Sequence, residues 1–229
     1  MNFPIYDITP FSMLDFQDHT SSILWFSGCN MRCPFCYNPK IVYGKGKISL
    51  AETLSFLKTR IGLIDAVVLS GGECTCCKNL LEICRRIKEM GFKIKVDTNC
   101  TNSEILLQLC DENLLDMVSI DYKAPEYKFA EVAGANLYEK FSKTLDILIS
   151  TLTIPYEIRT TVHTELLNET DINNIAKDLK NRNYPYNYYL QQYQQTDSTI
   201  GDMNPQPYTL NEDLLISQVP LKFRNFSYA

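Results

Sequence analysis

Short apolar or β-branched runs alternate along this chain with stretches whose apolar residues recur every three to four positions. Residues 22–27 read as a first strand that ends at Gly28. Ser49 with Glu52 three residues later is a capping-box signature, and Leu50, Leu54, Leu57 and Ile61 supply the buried stripe of the helix it opens. Gly62 suits its C-terminal stop. Residues 66–69, Ala-Val-Val-Leu, are apolar without alternation, as expected for a strand covered on both faces. A Gly-Gly turn then leads into a helix over 78–90 with Leu80, Cys84 and Ile87 on one face. Further strands are expected at 93–97, 117–121, 156–162 and 186–193. Thr101 with Glu104 predicts a second capping box, for a helix through Cys110; another helix is expected at 137–152. Asn168 is expected to cap a helix with Ile172, Ile175, Ala176 and Leu179 spaced i, i+3, i+4, i+7. Repeated strand–helix units imply a parallel sheet with right-handed crossovers. Six units are too few for a closed eight-fold barrel, so the expected fold is α/β, an open, partial (β/α)6 barrel. Residues 1–229 read as one domain, with a core over 22–193 and a polar, proline-containing tail over 194–229 packing on its outside.

Composition narrows the function. With 22 basic and 27 acidic residues the net charge is −5, and no block of five like charges occurs, which argues against a nucleic-acid partner. No apolar run approaches the ~20 residues of a membrane span, and the first ten residues lack an apolar signal region. The expected location is therefore the cytoplasm, where the nine cysteines stay reduced. An odd number of clustered, reduced thiols points to metal or redox chemistry.

Cys29-Asn-Met-Arg-Cys33-Pro-Phe-Cys36 follows the first strand directly. Three thiolates on one loop can hold three irons of a four-iron cluster and leave the fourth open to a ligand. The same spacing also suits a zinc knuckle recruiting His19 or His163, or unligated thiols. Ser70-Gly71-Gly72-Glu73 follows the apolar strand; its glycines permit close backbone approach and its carboxylate can pair with an ammonium group, although a plain turn reads the same way. Asp97-Thr98-Asn99 and Asp121-Tyr-Lys123 end two adjacent strands, giving either a polar pocket in an apolar barrel mouth or helix caps beside a surface lysine. Arg159, if buried in its strand, needs a carboxylate partner, which a bound ligand would supply; at an edge it would face solvent. Cys74, Cys76 and Cys77 invite an auxiliary cluster, but no inserted domain surrounds them, and a buried free cysteine behaves as a small hydrophobe.

The Cys-x3-Cys-x2-Cys spacing with Phe35 before the last cysteine resembles the radical S-adenosylmethionine (SAM) superfamily. The resemblance implies a partial (β/α)6 barrel of the radical SAM type. It implies one [4Fe–4S] cluster on Cys29, Cys33 and Cys36, and SAM chelated to the open iron with its adenine near Phe35. The Gly71-Gly72-Glu73 turn is similar to a motif that binds the methionine amino group, with Cys74 where that motif has proline. The segments around Asp97, Thr98, Asp121, Lys123 and Arg159 resemble glycyl-radical-enzyme activating proteins. There the aspartates help form a SAM and monovalent-cation site, and the lysine and arginine lie near the cofactor. Cys100 stands where that family has glycine, and a position needing φ > 0 would strain a cysteine. His163 replaces a proline and reads as a loop residue, not a ligand. The segments DTN, SIDYKAP, YEIRTTV, LLNETDI and YYLQQ resemble most the activators of anaerobic ribonucleoside-triphosphate reductase. That implies an oxidoreductase whose partners are the reductase's large subunit and a flavodoxin or ferredoxin-like electron donor. A pyruvate formate-lyase-type activator, a radical enzyme acting on a small molecule, and a structural zinc module are the alternatives.

Overall fold

The run at residues 66–69 becomes β3 (Ala66–Gly71), and its place between two partners explains why it lacks polar alternation. β2 (Ser21–Phe26) pairs with it in parallel, Ser21 opposite Ala66 through Phe26 opposite Gly71. β4 (Lys93–Thr98) pairs on the other side. β5 (Met117–Asp121), β6 (Tyr156–Val162) and β7 (Tyr188–Gln192) continue the parallel order. These are the six expected strands. The computed structural model describes residues 4–226, and within them two more strands flank the six. β1 (Ile5–Ser12) lies antiparallel on β2. β8 (Leu221–Arg224) lies parallel on β7, so part of the tail joins the sheet. Strand order follows chain order, and among the described residues β1 and β8 do not pair with each other. The barrel is open.

The helices are α1 (Pro39–Tyr43), α2 (Leu50–Lys58), α3 (Leu80–Glu89), α4 (Ser103–Asp111), α5 (Glu126–Ala133), α6 (Tyr138–Thr151) and α7 (Glu169–Asn181). The Ser49–Glu52 box caps α2, and Asn168 caps α7 in a reciprocal box with Asp171. The box expected at Thr101 and Glu104 does not form. Asn102 occupies the N-cap of α4 without a side-chain cap, because the Thr101 hydroxyl donates to Asn99 Oδ1 and accepts from Asn30 Nδ2. Ile61 falls beyond the end of α2 and is exposed. Neither α1 nor α5 was expected: both are one to two turns long, too short to show a helical period.

Outward-facing Leu24, Leu69, Val96, Ile120, Ile158 and Leu190 pack beneath the helices in the main core. Facing inward, Ile23, Ala66 and Val68 form a separate small cluster with Phe16, flanked by Trp25 and Met117. Phe16, from the β1–β2 loop, thus fills the barrel at the N-terminal ends of its strands. Higher up, the same alternation turns polar, with Ser70, Lys95, Asp97, Ser119, Glu157 and Arg159 facing inward.

Two glycines bring the loops at the C-terminal ends together. Gly71 has φ +115, and a Cβ on Gly72 would stand 1.8 Å from Gly28 O, just before the cysteine loop. Glu73 N donates to that carbonyl at 2.8 Å. Gly72→Ala is therefore expected to destabilise the fold by about 2–3 kcal/mol, an overpacking cost against the Gly28–Cys29 backbone. Urea denaturation at unchanged m-value checks it.

Candidate active site

Register sets the site. Asp121 on β5 stands directly opposite Arg159 on β6, and Asp97 on β4 opposite Ser119. Arg159 Nε donates to Asp121 Oδ1 at 2.6 Å and its Nη2 lies 3.4 Å from Asp97 Oδ2. Lys123 Nζ reaches Asp121 Oδ2 at 3.0 Å. Lys95 Nζ stands 3.0 Å from Asp97 Oδ1 but is not aligned to hydrogen-bond it, and Ser70 Oγ donates to Asp97 Oδ2 at 3.1 Å. Below them Arg224 holds Glu157 through two hydrogen bonds of 3.0 and 2.8 Å.

Burial works against the charge of Asp97, Asp121, Lys123, Glu157 and Arg159, and ion pairing overrides it. Asp121 is held well below the ordinary carboxylate range by Arg159 and Lys123, despite desolvation. Asp97 is lowered likewise by Arg159 and Lys95. Lys123 keeps its proton more tightly than a free lysine because Asp121 outweighs its burial. Arg159 is thus neither an edge residue nor short of a carboxylate: two aspartates of the chain itself supply what the sequence reading assigned to a ligand.

Glu73 is 2% exposed. It accepts from Asn99 N at 2.6 Å, Thr98 Oγ1 at 2.8 Å, and both Thr75 N and Thr75 Oγ1. Desolvation raises its pKa, opposed by these donors, first the Asn99 amide. Cys74 replaces a proline yet begins a 3₁₀ turn (Cys74–Cys76), fully buried, with its Sγ 3.6 Å from Asp97 O. Cys100 does adopt φ +60, so this buried cysteine carries the left-handed conformation that favours glycine.

Cys29, Cys33 and Cys36 all line one cavity of about 210 Å³, together with Phe35, Gly71, Gly72, Glu73, Asp97, Thr98, Asp121, Lys123 and Arg159. All twelve residues that the resemblance implies for cluster and cofactor meet there. Burial pushes the Cys33 thiol up to about 11 and raises Cys29, while Lys123 opposes both shifts. Among the described residues no three His, Cys, Asp or Glu side chains converge as they would around a single metal ion. His19 is engaged by Gln17 O and Lys93, and His163 by Asn204 O, and neither lines the cavity. The cavity thus holds three loop thiols, the donors that a cluster with one open iron needs, without either histidine that a zinc knuckle would recruit.

Lys95, Thr161 and Gln191 were not among the sequence candidates. Lys95 had a signal, since it lies two residues before Asp97 on the same strand face. Thr161 and Gln191 had none, because only the pairing of β6 with β7 sets them opposite each other.

Residues 23–184 match the sequence profile of the radical SAM superfamily. A Methanocaldococcus jannaschii protein, itself provisionally assigned as a glycyl-radical enzyme activating enzyme, is 32% identical over 90% of this chain and 87% of its own length. The pyruvate formate-lyase-activating enzyme of Clostridium pasteurianum is 27% identical over 70% of this chain and 71% of its own. Among solved structures, Streptococcus suis SuiB superposes with a TM-score of 0.65 at 13% identity, over 87% of this chain and 47% of SuiB. That likeness concerns the fold. The chain belongs to the radical SAM superfamily and, within it, to the family of glycyl-radical enzyme activating enzymes. It is an enzyme, and its cofactors are a [4Fe–4S] cluster and SAM. Among the described residues no helix is long and apolar enough to cross a membrane.

Proposed function

We propose that this enzyme generates a glycyl radical on anaerobic ribonucleoside-triphosphate reductase. When bound, the cluster and SAM would supply one-electron reductive cleavage chemistry and, with it, the means of taking a Cα hydrogen from glycine. Cys29, Cys33 and Cys36 would hold the cluster, and Phe35 would lie beside the adenine. Gly71 and Gly72 bring the loop close, so that Glu73 can face the methionine ammonium group. Thr98 fixes the Glu73 carboxylate through its hydroxyl. Asp97 and Asp121 hold Arg159 and Lys123 in place; a monovalent cation at these aspartates would have to compete with both and with Lys95.

One observation carries the reading: the cavity lies at the mouth of a barrel left open between β1 and β8, with no inserted domain over it among the described residues. A glycine loop of a partner protein can serve as the lid that excludes water. The segments quoted above favour the reductase as that partner. The Clostridium pasteurianum relative favours a second reading, activation of a formate-lyase-type enzyme.

With the cluster reduced, the isolated protein should form 5′-deoxyadenosine slowly, and adding the reductase large subunit should produce a glycyl-radical doublet in electron paramagnetic resonance. A doublet obtained with a formate-lyase-type partner alone would overturn the reductase assignment.

Glu73→Gln tests the SAM site. Asn99 N and Thr75 N can only donate, so an amide places its NH2 against one of them and loses the charge that attracts an ammonium group. Calorimetry should show SAM affinity lowered by about 10–100-fold, the worth of one charge-assisted hydrogen bond, with iron content unchanged. Unaltered affinity would remove Glu73 from the site.

A further inference from the structure

Charge is spread unevenly along the chain, and a long acid-free stretch surrounds the cysteine loop. Residues 19–51 carry Arg32, Lys40, Lys45 and Lys47 and no Asp or Glu. That is +4 in a protein of net charge −5, and the remaining 18 basic and 27 acidic residues leave −9 elsewhere. All four side chains are exposed. Among the described residues, none lies within 4.0 Å of a carboxylate.

Aromatic rings and backbone position two of these cations instead. Arg32 Nη1 donates to Cys29 O at 2.6 Å, and its guanidinium lies 5.0 Å from the centroid of Tyr43, a ring 62% exposed. Lys47 Nζ stands 3.9 Å over Tyr6. α1, which carries Lys40 and Tyr43, turns its other side inward: Ile41 and Val42 are buried, Gly28 N donates to Ile41 O, and Val42 lines the cavity. The basic face therefore covers the outside of the cysteine loop and looks away from the cavity.

We propose that this face docks the one-electron donor, an acidic electron-carrier protein with a flavin or iron–sulfur centre; the inference rests on the function proposed above. The geometry separates two kinds of partner. Hydrogen abstraction requires contact inside the cavity, whereas an electron needs only proximity to the cysteine loop. An exposed face on the outer side of α1, whose inner side lines the cavity, suits the second. Its charge attracts an acidic carrier that the −9 remainder of the chain repels, which selects one orientation of approach. In the transfer the donor is oxidised by one electron and the cluster reduced by one; no bond forms and no proton need cross.

The test uses the iron-loaded enzyme and the variant Lys40→Glu, Lys45→Glu, Lys47→Glu, which leaves Arg32 on the cysteine loop. Stopped-flow absorbance follows cluster reduction by reduced flavodoxin at low and high salt, and separately by photoreduced 5-deazariboflavin, a small uncharged reductant. The flavodoxin rate should fall by at least about tenfold at low salt, and the variant should lose the wild-type salt dependence, as for steered association. The deazaflavin rate should not change. A Lys→Gln version of the triple variant, less perturbing to folding, should lie in between. Wild-type flavodoxin rates and salt dependence in both variants would overturn the proposal. So would intact electron transfer with lost binding of the reductase subunit, since the face would then belong to the substrate protein. Failure of the deazaflavin-reduced wild type to cleave SAM would instead strike at the proposed function.

Discussion

Replacing Cys29, Cys33 or Cys36 by alanine is expected to abolish the brown chromophore, bring iron to background and end SAM cleavage. The three thiols are the sulfur donors that line the cavity beside Gly71, Gly72 and Glu73, and with one site on the cluster open no protein ligand is spare. The fold should survive. Cys29 and Cys36 are partly exposed and Cys33 packs as a small side chain, so the apoprotein's denaturation midpoint should move little. That contrast separates a ligand from a core residue. The variant Cys74→Ser, Cys76→Ser, Cys77→Ser should keep about four irons per chain, the content of a single cluster. A full iron complement after removal of all three loop cysteines would overturn the cluster assignment.

Asp121→Asn should destabilise the protein by about 3 kcal/mol at neutral pH, the low end for breaking a buried pair because Asp121 retains some solvent contact. The amide keeps the shape but leaves Lys123 and Arg159 without the carboxylate both engage. The pH dependence has a definite sign. Asp121 has a depressed pKa in the folded protein, so its contribution is present above the unfolded value near ~3.9 and lost as pH falls below it. Lys123 is shifted the opposite way, so its share persists until pH rises past the ordinary lysine range, above ~10. The gap between wild type and Asp121→Asn should therefore be flat from about pH 5 to 9 and close in acid. Urea midpoints across pH measure it, and a gap that widens in acid would contradict the network described here.

The six parallel strands were legible because hydrophobic periodicity and glycine punctuation are local properties. So was the cysteine loop, since three cysteines within eight residues need no long-range contact to be recognised. β1, β8 and the short helices α1 and α5 were not, because a single turn or an edge strand carries too little pattern to stand above the background. Thr101 shows how tertiary contacts override a local rule: its hydroxyl meets Asn30 and Asn99 before it can cap α4. Arg159 shows the same for charge. Its residue type demanded a carboxylate, but only the β5–β6 register chose Asp121 over a ligand. The basic face around the cysteine loop lies in plain view in the sequence, yet which of its side chains turn outward was decided by how α1 packs. By itself, then, the sequence determined the strand–helix order, the cysteine loop and the family, all written in short-range spacing. Tertiary structure alone decided the partners of the buried charges, the open side of the barrel and the orientation of the basic face, because each depends on residues far apart in the chain meeting in register.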